Sequence, residues 1–167
     1  MASKDLYEAM NNHLNKELYS AYLYLAMAAH FESVNLPGFA AWMNSQAKEE
    51  YGHAMQFWTY IYDRGGSVTL LAIDQPPSKY GSPLEAFEQA LAHEKDVTED
   101  IHKLYARASD EKDYASEVFL QSFISEQVEE EKTASQIVET LKLVGDSTAS
   151  LLMYDRELAQ RGVQPRG

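Results

Sequence analysis

Helix breakers are sparse in this chain, and where they fall dictates what it can fold into. Pro37–Gly38 in VNLPG, Gly65–Gly66, Ser82–Pro83, the polar turn Asp110–Asp113 and Gly145 cut the 167 residues into long stretches of helix-forming sequence. Pro and Gly interrupt the α-helical hydrogen-bond ladder, so each cluster is a stop signal. The pattern predicts a first helix from about Lys4 to Ser33 and a second from about Phe39 to Arg64. A third starts after Ser82, an N-cap candidate with Pro83 at the first helical position and Glu85 in the first turn, and fades near Ser109–Asp110. A fourth spans roughly Tyr114 to Val144, and a short fifth, about Thr148 to Gln160, precedes the polar tail RGVQPRG. One weak strand candidate, SVTLLAI, lies between the second and third helices.

Four helices this long predict an all-α four-helix bundle in a single domain, residues 1–167, with the bundle over about 4–145 and the fifth helix over about 148–160. The connections carry the topology. Val34–Gly38 is short, so helices one and two are expected as antiparallel neighbours, and the turn at Asp110–Asp113 says the same of three and four. The middle connection, Gly65 to Ser82, has 18 residues. Extended, it can reach about 60 Å; the second helix is about 39 Å long. A crossover that starts helix three parallel to helix two explains so long a loop in a compact domain.

Helix two contains AKEEYGHA, with Glu50 and His53 three residues apart and therefore on one helix face. Alone the pair means little. Glu17 on helix one precedes Glu50 by 33 residues and His53 by 36; Glu94 on helix three precedes Gln127 by 33 and Glu130 by 36. The two halves thus repeat one pattern: a Glu, then a Glu or Gln, then a His or Glu. Four-helix bundles hold two metals with a Glu from each of two helices and a Glu-x-x-His from each of the others, and here the second such motif is varied to Gln127-x-x-Glu130.

Composition agrees with a metal reading. Formal net charge is −12, from 26 acidic and 14 basic residues, which argues against a nucleic-acid surface and suits either metal cations or an acidic surface for solubility. The chain has no cysteine, which excludes disulfides, thiolate zinc sites and iron–sulfur clusters. Four carboxylates and one imidazole are hard ligands, suited to iron or manganese. Oxygen ligands favour Fe3+ over Fe2+, so such a site should promote oxidation of Fe2+. The N-terminus MASKDLYEAMNNHL lacks the apolar core of a signal peptide, and no apolar run is long enough to span a bilayer; a cytoplasmic protein with no membrane partner is the expectation. Tyr24 follows Glu17 by seven residues on the same face, as a hydrogen-bond partner or one-electron donor beside the metals or, in a chain with 11 tyrosines, as a core residue. His13, four residues before Glu17, is expected to support rather than bind, and His30, His93 and His102 show no partner in the pattern.

At these residues the chain resembles a bacterial non-haem ferritin, from LNKELYSAYLY through QAKEEYGHA and FISEQVEEEK to the fifth helix. The resemblance implies a ferritin-like bundle with one long crossover, a homo-oligomeric shell of twenty-four subunits, and ferric oxyhydroxide stored inside. It implies that Glu17, Glu50 and His53 hold a first iron and that Glu50 bridges to a second on Glu94 and Glu130. Gln127 sits beside the first iron with a dioxygen or water, and Tyr24 matches the tyrosine near the centre. Glu49, Glu126 and Glu129, with Glu130 shared, match a third iron site on the cavity side. The oxidant is dioxygen or hydrogen peroxide. No haem is expected, since Tyr51 and Gly52 stand where bacterioferritin has its haem-binding Met. Several relatives carry a Trp where this chain has Ser122. Glu117 is a candidate pore residue. Two other readings stay open: a structural shell subunit that only nucleates iron, and a di-iron oxygenase acting on an organic substrate.

Overall fold

A computed structural model describes residues 3–161. The tail from Gly162 to Gly167 lies outside the described residues. Five helices follow in order: α1 Lys4–Ser33, α2 Pro37–Asp63, α3 Pro83–Asp110, α4 Tyr114–Val144 and α5 Thr148–Arg161. Local chemistry accounts for their limits. Ser3 caps α1 by accepting from the Leu6 N–H, and Asp113 caps α4 by accepting from the Ser116 N–H. Ser82 and Glu85 form a reciprocal capping box at α3. Two residues with left-handed φ, Asn35 and Lys112, make the turns after α1 and α3.

α2 starts at Pro37, two residues before the expected Phe39, because proline fits the first helical turn, where its missing N–H costs nothing. α5 runs one residue past Gln160.

Contacts at both ends establish the directions. Tyr7 near the start of α1 donates to the Arg64 carbonyl at the end of α2, while Phe31 stacks on Phe39 at the opposite ends. α1 likewise runs against α3, with Lys16 paired to Asp100 and His30 bonded to the Gly81 carbonyl at 3.0 Å. α4 runs against α3, and against α2 through Tyr60–Ser116 and Gln46–Glu130. α2 and α3 are therefore parallel, and residues 64–82 must travel the length of the bundle. α5 packs chiefly on α2.

The SVTLLAI segment is not a strand. It lies beside α1, where two asparagines take the place of a neighbouring strand. Asn11 Oδ1 accepts from the Thr69 N–H and Asn15 Oδ1 from the Leu71 N–H, both at 2.8 Å, and both amides donate back to the Thr69 carbonyl. Side chains thus satisfy backbone groups that would otherwise seek a ladder partner.

The core is split in two. One apolar cluster gathers Phe31, Phe39, Trp42, Phe87, Ile137 and Leu158; the other gathers Leu6, Leu14, Phe57, Ile61, Leu120 and Phe123. On each of the four long helices a polar residue separates the two sets: Glu17 on α1, Glu50 and His53 on α2, Glu94 on α3, Gln127 and Glu130 on α4. All six are buried.

Candidate metal centre

The polar belt is costly unless something neutralises it. Glu17, Glu50, His53, Glu94, Gln127 and Glu130 are each 4% exposed or less, at mid-height in the bundle. The 77-residue offset between the halves is visible as a pseudo-twofold relation. Gln46 donates to Glu130 Oε2 at 3.0 Å, and Phe123, its counterpart in the second half, sets its ring against His53 with centroids 5.6 Å apart.

The first-half residues converge most closely. One ligand atom each from Glu17, Glu50 and His53 lies within 4.8 Å of the others. His53 Nδ1 is 3.1 Å from Glu50 Oε2 and 4.0 Å from Glu17 Oε2. Glu17 Oε1 is held by His13 Nε2 at 2.7 Å, whereas Glu17 Oε2 is buried with no hydrogen-bond partner.

The second-half residues are held aside by other partners. Tyr24 donates its hydroxyl proton to Glu94 Oε1. Gln127 Nε2 donates to Glu94 Oε2 at 3.1 Å, to the Glu94 carbonyl at 3.2 Å and to Thr98 Oγ1 at 3.1 Å. The Gln127 amide nitrogen therefore orients Glu94. Three supporting residues, Gln46, Thr98 and Phe123, went unrecognised in the sequence. The signal was available for each: four residues before Glu50, after Glu94 and before Gln127 on the same helix faces.

Electrostatics follow from burial. Removal from water raises the Glu17 carboxyl, opposed by its contact with Glu50 and by His53. Burial, then repulsion from Glu17, pushes Glu50 up to about 8. Burial, then repulsion from Glu50, pushes Glu94 up to about 7. Burial alone would lower His53, but the carboxylates of Glu126 and Glu50 outweigh it and push the imidazole up to about 11. Burial and the nearby Glu94 push Tyr24 well above its ordinary value. Without a cation the cluster keeps extra protons to limit its negative charge.

This donor set fits divalent cations. A cation among Glu17, Glu50 and His53 would give Glu17 Oε2 its missing partner, and hard oxygen donors with one imidazole suit iron.

The remaining candidates lie further out. Glu126, with its side chain 47% exposed, places Oε2 3.2 Å from His53 Nε2. Glu129 is exposed and lies 3.8 Å from Lys132, while Glu49 is partly buried. Ser122 is exposed and bonded to the Phe119 carbonyl. Glu117 is partly buried and accepts weakly from Tyr105 at 3.5 Å. His93 is bonded to Ser20 and lies edge-on to Tyr24, and His102 is exposed. Among the described residues no helix is long and apolar enough to cross a membrane.

Comparison with known proteins gives a consistent result. The Ferritin family, described as a ferritin-like domain, matches residues 7–144. The bacterial non-heme ferritin of Staphylococcus haemolyticus is 42% identical over 161 residues, covering 96% of this chain and 97% of that protein. The bacterial non-heme ferritin of Bacteroides fragilis is also 42% identical over 161 residues, covering 96% and 100%. Among solved structures, an open pore ferritin from the hyperthermophilic archaeon Archaeoglobus fulgidus superposes with a TM-score of 0.95 at 46% identity, over 99% of each chain.

Proposed function

The chain belongs to the ferritin family, and from that premise we propose that it oxidises Fe2+ at a di-iron centre inside each subunit and stores the ferric product as oxyhydroxide within a homo-oligomeric shell of twenty-four. The observation that carries this reading is the buried Glu17–Glu50–His53 group, whose ligand atoms lie within 4.8 Å and whose Glu17 Oε2 has no donor.

Iron is the substrate. Glu17, Glu50 and His53 take the first Fe2+, and Glu50 bridges to a second held by Glu94 and Glu130. Binding displaces the protons that burial keeps on Glu50 and Glu94. Each Fe2+ gives up one electron, and dioxygen or hydrogen peroxide accepts the pair. Gln127 orients Glu94 by donating to its Oε2, and iron at the second site would draw Glu94 from these partners; the amide also suits a bound water or dioxygen. Tyr24, hydrogen-bonded to Glu94, is placed to supply a further electron and pass its proton to that carboxylate. Glu49, Glu126 and Glu129 form a third iron site facing the cavity, and Glu117 lines a pore. The protein works in the cytoplasm without haem.

The test is aerobic addition of Fe2+ to the metal-free protein. Oxidation several-fold faster than in buffer is expected, with Glu17→Ala and Glu130→Ala slowing it sharply. A rate equal to that of buffer would overturn the ferroxidase reading. Native mass measurement decides the shell: a monomer or dimer would point instead to an oxygenase.

A further inference from the structure

His53 has two ring nitrogens in two different surroundings. Nδ1 faces Glu50 Oε2 at 3.1 Å and Glu17 Oε2 at 4.0 Å. Nε2 faces Glu126 Oε2 at 3.2 Å. A nitrogen that binds a cation must present a lone pair, so a metal at the Glu17–Glu50 side leaves the ring proton on Nε2. That proton needs an acceptor, and Glu126 is the carboxylate within reach.

The contact also decides which way round the ring sits. A half-turn about the bond joining the ring to Cβ exchanges Nδ1 with a carbon and leaves the cluster without its nitrogen ligand. Phe123 packs against the ring at an interplanar angle of 73°, but an aromatic face does not distinguish the two orientations. The 3.2 Å contact of Nε2 with Glu126 does, on the side away from the Nδ1–Glu50 contact.

We propose that Glu126, through Nε2 of His53, is a positioning residue of the first iron site, in addition to any cation it binds on the cavity side. This rests on the di-iron reading of Glu17, Glu50 and His53. The same division of labour recurs around the belt, where His13 holds Glu17, Tyr24 and Gln127 hold Glu94, and Gln46 holds Glu130. Carboxylates on the second nitrogen of a metal-bound histidine commonly contribute about 10–100-fold in metal affinity.

The experiment is anaerobic titration of the metal-free protein with Co2+ below one equivalent per subunit, followed by its visible absorption, so that the cavity-side site stays empty. Glu126 is about half exposed, and Ala is a good helix former, so the variants keep the bundle. Glu126→Ala should weaken the first Co2+ about 10–100-fold. Glu126→Gln keeps an oxygen acceptor for Nε2–H and should restore most of the affinity. Glu139→Ala, which removes an exposed α4 carboxylate paired with Lys142 and far along the helix from the belt, should leave the first affinity within about twofold. First-site affinity unchanged in Glu126→Ala, or lowered equally in Glu139→Ala, would overturn the positioning role. Wild-type protein that binds no Co2+ at all would instead overturn the metal centre itself.

Discussion

Asp155 on α5 accepts the backbone N–H of Phe39 at 2.8 Å and so caps α2 from another helix. The α2 N-terminus has no side-chain cap of its own, since Leu36 stands at that position. At Gly38 the two helices also approach backbone to backbone. A Cβ built on Gly38 would fall 1.7 Å from the Asp155 carbonyl oxygen.

Asp155→Ala should therefore cost about 1–2 kcal/mol, the usual loss for an N-cap, with a lower Tm by calorimetry. Gly38→Ala should be worse, because the clash is with backbone and α5 must move. Limited proteolysis near residue 147 should speed up in Gly38→Ala if α5 detaches.

Metal-free stability should fall as pH rises. Glu50 and Glu94 have folded-state values raised above 4.5, to about 8 and about 7, so their contribution is present at low pH and lost as pH climbs through those values. His53, raised from 6.5 to about 11, adds to the loss above 6.5. His13 and His93, each lowered by burial to about 4, act the other way, but only between about 4 and 6.5. The steepest fall is thus expected between about 6.5 and 8. Thermal melts of the metal-free protein across this range check it; Glu50→Gln should flatten the curve, and divalent metal should raise Tm most at the alkaline end.

Gln127→Glu tests whether the amide nitrogen orients Glu94. The substitution turns a donor to Glu94 Oε2, the Glu94 carbonyl and Thr98 into an acceptor facing acceptors. In the metal-free protein it should cost about 1–3 kcal/mol at pH 8, and less at pH 5, where the new carboxyl holds its proton. Chemical denaturation at the two pH values gives the comparison.

Asp113 does two jobs at once. It caps α4 and receives both guanidinium nitrogens of Arg64 from the end of α2, at 3.1 Å and 3.0 Å. Asp113→Ala should cost about 2–4 kcal/mol, the sum of a cap and a charge-assisted pair. Asp113→Asn, which keeps the cap, should lose roughly half as much. No loss in Asp113→Asn by urea titration would show that the ion pair contributes nothing, and equal losses in the two variants that the cap contributes nothing.

Much of this was legible in the sequence because the signals are local. A Ser–Pro–x–Glu start, a glycine after the last turn and an Asp ahead of a helix act within a few residues, so four helices came out at or near their observed limits. The start of α2 was misplaced because a proline that ends one helix can equally open the next. The SVTLLAI segment read as a weak strand because β-branched residues favour extended backbone; what receives its hydrogen bonds is Asn11 and Asn15, more than 50 residues earlier.

The repeat of Glu17, Glu50 and His53 in Glu94, Gln127 and Glu130 was a property of the sequence alone, because helical periodicity converts fixed spacing into a shared face and a common level. The structure brings all six into one buried belt. Which oxygen goes where was a tertiary matter. Nothing in the spacing says that Glu17 Oε2 is left without a donor, that Gln127 turns its nitrogen to Glu94, or that Glu126 reaches His53 from the mouth of the site. Those choices depend on which neighbours crowd each side chain once four helices pack, and burial sets their energies by removing the water that would otherwise satisfy every group equally.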